Sequence, residues 1–153
     1  MYIAGTLLKM YYHSVGRNAT LLLGLTPDTS GLIPAADAAR LQELGNAVRE
    51  RFDAPIQTSR SLQLSFTEDR KVNQVTIAED ISQGERIRSF VLEAKIRGRW
   101  KSLYSGSAVG ALRIITFPEV QATALRLQVR ESSDTPLIRS FSAYKINGEP
   151  IEN

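Results

Sequence analysis

The sequence predicts a mainly β protein, an antiparallel β-sandwich preceded by a short helix–strand–helix unit. Three observations carry that expectation. From about residue 61 onward, apolar side chains recur at every second position, the period that sends alternate residues to the two faces of a strand. These runs are short and separated by turn-rich breaks such as 97–99 and 105–110, the arrangement of antiparallel sandwiches. Before residue 53 the period is instead helical, and Pro55 falls where it changes, so the boundary is expected between 1–56 and 57–153.

In the first part, Leu7, Leu8, Met10, Tyr11 and Val15 fit one helix face over 6–14, and Gly16 is the candidate left-handed residue that closes it. Residues 19–25 follow with a nearly continuous apolar run, Leu21, Leu22, Leu23 and Leu25. That is the pattern of a strand covered on both faces, as parallel barrel strands are; period alone leaves a buried helix open. The loop 26–31 has the turn chemistry of Pro27, Asp28, Ser30 and Gly31. A second helix opens at Pro34, with Ala38, Leu41, Leu44, Val48 and Phe52 on one side and Arg40, Glu43, Glu50 and Arg51 mostly away from it. Its apolar stripe needs a cover, from the sandwich or from a second chain in a homo-oligomer, because leaving it in water forgoes several kcal/mol of burial at roughly 25 cal/mol per Å².

In the second part, Leu62, Leu64 and Phe66 alternate with Ser61, Gln63 and Ser65, and Val75 and Ile77 continue the habit. Phe90, Leu92, Ala94 and Ile96 interleave with Ser89, Glu93 and Lys95. Further runs hold Leu112 and Ile114, then Leu125, Leu127 and Val129 opposite Arg126, Gln128 and Arg130, and last Ile138, Phe141 and Tyr144. These read as half-buried strands.

Composition narrows the function classes. The 153 residues are 42% hydrophobic, enough for one ordinary core. The net charge of +3 is mild and well mixed; the nearest nucleic-acid candidate, Lys95, Arg97, Arg99 and Lys101 around Trp100, reads as a solvated hairpin rather than a phosphate site. With no cysteine and one histidine, neither disulfides, thiolate metal sites nor an imidazole cluster is expected, and no cofactor. No apolar run nears the roughly 18–20 residues of a membrane span, and the first residues lack the pattern of a secretory leader, which a piece of a longer protein would not carry. The carboxyl pairs Glu79 with Asp80 and Glu68 with Asp69 are expected on the solvated surface. Arg17 and Asn18 are expected to hold a turn through side chain to backbone bonds. Asn18, Ala19 and Thr20 spell a glycosylation acceptor short enough to arise by chance, and His13 is expected on a helix surface.

Residues 11–28, YYHSVGRNATLLLGLTPD, continuing through Gly31, Leu32 and Ile33, resemble a segment of the α-L-fucosidases, and EDISQGERIRSFVLEA at 79–94 resembles the C-terminal sandwich of the same enzymes. The resemblance implies that 1–56 is the last part of a catalytic (β/α) barrel and that 57–153 is a discoidin-like β-sandwich, or jelly roll. Such enzymes hydrolyse terminal fucosides with retention, through an aspartate nucleophile and a second carboxyl group roughly 5–5.5 Å away. Both are expected upstream of this sequence, so the resemblance assigns no catalytic residue here. Thr26 and Asp28 follow the carboxyl end of the expected barrel strand, where barrel active sites lie, and are candidates to border the sugar pocket. Discoidin-like domains often bind sugars at loops on one edge; the candidates here are Trp100 and Tyr104 with Arg86, Asn73 and Arg130, against a core or rim role for Trp100 and a purely supporting role for the domain. The implied partners are an upstream catalytic barrel and, through the parent enzyme, a fucosylated glycan; the implied location is periplasmic or secreted. A free-standing carbohydrate-binding module is the rival reading.

Overall fold

The computed structural model describes residues 2–148 and 150–152, so the expected outer limits Met1 and Asn153 lie outside the described residues. Two helices, α1 (Ala4–Ser14) and α2 (Ala35–Phe52), precede six strands: β1 (Gln57–Ser59), β2 (Gln63–Glu79), β3 (Ile87–Ile96), β4 (Arg99–Gly106), β5 (Arg113–Ser132) and β6 (Ile138–Tyr144). The strands form one antiparallel sheet in the order β1-β6-β2-β5-β3-β4. The mainly β, sandwich-type expectation holds.

Four runs expected as separate strands join pairwise into two longer ones. Residues 63–66 and 75–77 belong to β2, and residues 114 and 125–129 to β5. Register shifts between Ser65 and Arg70 and between Val72 and Gln74 interrupt the β2–β5 ladder, and such irregularities bend a strand. The bent pair lets the sheet fold over, so Phe90, Leu92, Ala94, Leu125 and Leu127 from one end share a core with Val75, Ile77, Ile115, Phe141 and Ala143 from the other.

The middle of β2 is buried on both faces. Val75 and Ile77 point into the sandwich core, whereas Gln74 and Thr76 face the other way and are also buried. There the Tyr12 hydroxyl donates to Gln74 Oε1 at 2.5 Å, and Thr76 Oγ1 lies 3.3 Å from the Tyr144 hydroxyl. Leu8, Tyr12, Ile114 and Ile151 form a second small core with Leu44, Val48 and Phe52 of α2 packed on it. The Phe52 ring sits 5.7 Å from that of Tyr12 and 5.9 Å from that of Tyr144. The α2 stripe is therefore partly covered by α1 and the sheet, although no α2 residue is fully buried.

The expected strand over 19–25 does not form. Its residues run in no ladder, and the nearest pairing is an isolated bridge between Arg17 and Arg113. Leu22 is 90% exposed. The physical reason is that a parallel strand has no internal hydrogen bonds and exists only beside a neighbour, and no strand among the described residues runs alongside it. Gly16 is also not the left-handed residue after α1: that role falls to Asn18, at φ 63°. Gly16 is needed for closeness instead, since a Cβ there would meet the Tyr12 carbonyl oxygen at 2.5 Å and the Ile114 side chain at 2.9 Å.

Candidate functional site

The densest polar arrangement joins the segment after α1 to one end of the sandwich. Asn18 accepts from Ala111 N at 2.7 Å through Oδ1, donates to Glu85 Oε1 at 2.6 Å through Nδ2, and donates its backbone N–H to Leu112 O at 3.0 Å. Asparagine suits this place because its short amide tolerates the left-handed region and can bond nearby backbone. Gly110, at φ 65°, lies so close to the Asn18 amide that a Cβ would overlap it. The expected structural role of Asn18 matches this geometry, and a glycan on Nδ2 would cost the bond to Glu85.

Glu79 corrects the sequence reading. Instead of lying on the solvated surface it is 1% exposed. Its Oε1 accepts from Arg86 N at 2.9 Å and Ile87 N at 3.0 Å, and its Oε2 from Gly110 N at 2.8 Å. Three backbone donors take up a charge that would otherwise be costly to bury. Its neighbour Asp80 is exposed as expected and caps the turn 81–83 by accepting from Ser82 N. That bond, with weaker help from Arg139 and Arg86, holds the Asp80 carboxyl below its ordinary range. No sequence signal separated the two acids except that alternation places Glu79 and Asp80 on different faces.

The seven candidate residues are not brought together. Trp100 pairs with Lys95 across the β3–β4 ladder and Tyr104 with Leu92, which puts them on opposite faces of the sheet. The Arg126 guanidinium covers the Trp100 ring at 4.2 Å while bonding Glu93 at 2.6 Å. The Tyr104 hydroxyl accepts from Arg113 at 2.6 Å, and its ring lies 6.2 Å from Phe90. Arg86 donates to Thr135 O at 2.7 Å and tethers the loop before β6. Asn73 clamps the chain after β6, donating to Ile146 O at 2.8 Å and accepting from Ile146 N at 2.7 Å. Arg130 is exposed near the end of β5. Thr26 and Asp28 are exposed in the loop before α2, where Asp28 Oδ1 accepts from the Ser30 N–H and hydroxyl and from Leu32 N. The Ser30 bonds hold the Asp28 carboxyl below its ordinary range.

Several other acids show the same pattern of local engagement. Glu119 bridges Lys71 and Lys145, Glu68 pairs with Arg70, and Glu43 with Arg40. No group of three or more potential metal-ligating side chains occurs among the described residues. No described helix is long and apolar enough to cross a membrane.

No protein-family model matches the chain. It is 30% identical to Alpha-L-fucosidase 1 of Arabidopsis thaliana, an alignment covering 90% of this chain and 35% of that protein. A crystal structure named "putative alpha-L-fucosidase" from Bacteroides thetaiotaomicron VPI-5482 matches at 48% identity and TM-score 0.93, over 96% of this chain and 35% of that one. A glycoside hydrolase 29 family member from an unknown rumen bacterium matches at 31% identity and TM-score 0.83, over 97% and 29%. The proteins that this chain matches along nearly its whole length are thus α-L-fucosidases of glycoside hydrolase family 29, and it spans about 35% of the curated relatives.

Proposed function

We infer that this chain is the C-terminal, non-catalytic portion of a retaining α-L-fucosidase, and that it supports a catalytic barrel contributed by the part of the parent it does not span. The carrying observation is the disposition of the carboxylates: the fully buried Glu79 is engaged by three backbone amides, and its burial keeps it out of reach of a sugar. Retaining hydrolysis needs two carboxyl groups facing one another across the anomeric carbon.

The surface offered to the barrel is the run 19–25 together with Leu32, Ile33 and the outer side of α2. Leu22, Leu32 and Ile33 are exposed, and an apolar run without a ladder becomes a strand only beside a neighbouring one. The Asn18 contacts then hold that run against the sandwich, so the sandwich stiffens the barrel's closing segment. Release of terminal fucose from glycans, and export from the cytoplasm, belong to the same proposal for the parent.

The test is hydrolysis of a chromogenic α-L-fucoside by the chain alone, by the remaining part of the parent alone, and by the two mixed. The expected result is no turnover by this chain and gain of turnover on mixing. Hydrolysis by this chain alone overturns the reading, and binding of fucosylated glycans without any effect on the barrel favours the free-standing binding module.

A further inference from the structure

We propose that the β3–β4 hairpin tip and the adjoining bend of β2 and β5 form a binding site for an acidic sugar residue, one carrying a carboxylate or a sulfate. The inference is independent of where the fucosidase chemistry resides. A cavity of about 430 Å³ lies at this end of the sandwich, lined by Asp69, Ile96, Arg97, Lys101, Val120 and Gln121. That volume is within the usual range for small-molecule sites. Its lining matches the parts of such a ligand: half-buried Ile96 and Val120 offer an apolar floor for a ring face, Arg97 and Lys101 offer cations for the acid group, and Asp69 and Gln121 can bond hydroxyls.

The cations of the tip are available. Among the described residues, Arg97, Arg99 and Lys101 are exposed and their side chains make no hydrogen bond or ion pair. This differs from Lys71 and Lys145, which share Glu119, and from Arg126, which is held by Glu93. The turn adds a second observation. Arg97 sits at φ 49° and Gly98 at φ 77°, the positive-φ pair of a two-residue hairpin in which asparagine or glycine is the favoured first residue. An arginine there costs local stability, and such a backbone outlier points to a role beyond folding.

A nucleic acid is the less favoured ligand. Single strands are bound on free aromatic faces, and the Arg126 guanidinium at 4.2 Å covers the ring of Trp100, the hairpin's tryptophan. The cavity is also clear of the face that carries the helices: β2 passes Asp69 about five residues, or roughly 15 Å, before Gln74 meets Tyr12.

The experiment is calorimetric titration of the whole chain with three trisaccharides of one backbone, uncharged, carboxylated and sulfated, and with a single-stranded oligonucleotide. Binding is expected for the carboxylated or the sulfated sugar, the stronger of the two identifying the acid group, with at least tenfold weaker binding of the uncharged one and weakening in high salt. Arg97→Asn relieves the turn, so this variant is expected to melt no lower than the parent chain while losing about tenfold in affinity, and Lys101→Ser should do the same without the gain in stability. Equal binding of all three sugars, no binding of either acidic sugar, affinity unchanged in Arg97→Asn, or preference for the oligonucleotide each overturns the proposal.

Discussion

Replacing Glu79 by glutamine tests whether the buried carboxylate is a structural anchor. The amide keeps one oxygen, which can still accept from Arg86 N and Ile87 N, but its NH2 group must then face the Gly110 N–H, donor against donor. One charge-assisted bond disappears, worth about 1.5–3 kcal/mol, a buried N–H is left unsatisfied, and the two surviving bonds become neutral ones. A loss of about 3 kcal/mol is expected, which for a chain of this size lowers Tm by roughly 6–12 °C. Urea unfolding followed by the fluorescence of the single tryptophan, Trp100, measures it. Glu85→Gln is the control: Glu85 accepts from Asn18 through one oxygen only, which glutamine retains, so its change should stay within about 0.5–1 kcal/mol. A Glu79→Gln variant as stable as Glu85→Gln would refute the anchoring role.

Asn18→Ala should destabilise the chain by about 2–3 kcal/mol, since it removes the bonds to Ala111 and Glu85 and leaves an alanine at φ 63°; Asn18→Gly should recover about 1 kcal/mol of that in the same urea assay, and equal losses for both would exclude backbone strain. Leu22→Ala is expected to change the stability of the isolated chain by less than about 0.5 kcal/mol, as Leu22 is 90% exposed, yet to weaken association with the barrel portion; a large loss of stability alone would show that the leucine is buried within this chain. The bonds from Lys145 and Lys71 lower the Glu119 pKa below the ordinary carboxyl value. Its stabilising contribution is therefore full above the unfolded-state value and is lost as pH falls through the depressed folded value. An NMR titration should find the Glu119 midpoint rising in Lys145→Ala, and more than in Lys71→Ala; an unmoved midpoint would exclude the lysine bond as its cause.

Much of the fold was legible because its signal is local. The alternation of Phe90, Leu92 and Ala94 against Ser89, Glu93 and Lys95 reflects one strand with one wet face, and the helix from Pro34 to Phe52 shows its period within its own residues. The joining of two runs into β2 and two into β5 was not legible, because a bend with shifted register interrupts the period two signal while the strand continues. Glu79 was read as a surface acid since a carboxylate's burial depends on what surrounds it. The amides of Arg86, Ile87 and Gly110 reach it through chain separations of up to 31 residues.

The sequence alone determined the class of fold, the change from helical to strand period near Pro55, and the resemblance to α-L-fucosidases through residues 11–33 and 79–94, because side-chain periodicity and motif identity are properties of the chain itself. Only the tertiary structure decided that the run 19–25 lies without a ladder, that Trp100 and Tyr104 occupy opposite faces, that Asn18 ties the first segment to the sandwich, and that Glu79 gathers three amides within it. Those outcomes depend on which groups meet across space, and neither a hydrogen-bond partner nor the cover over an apolar side chain is written in the residues that need it.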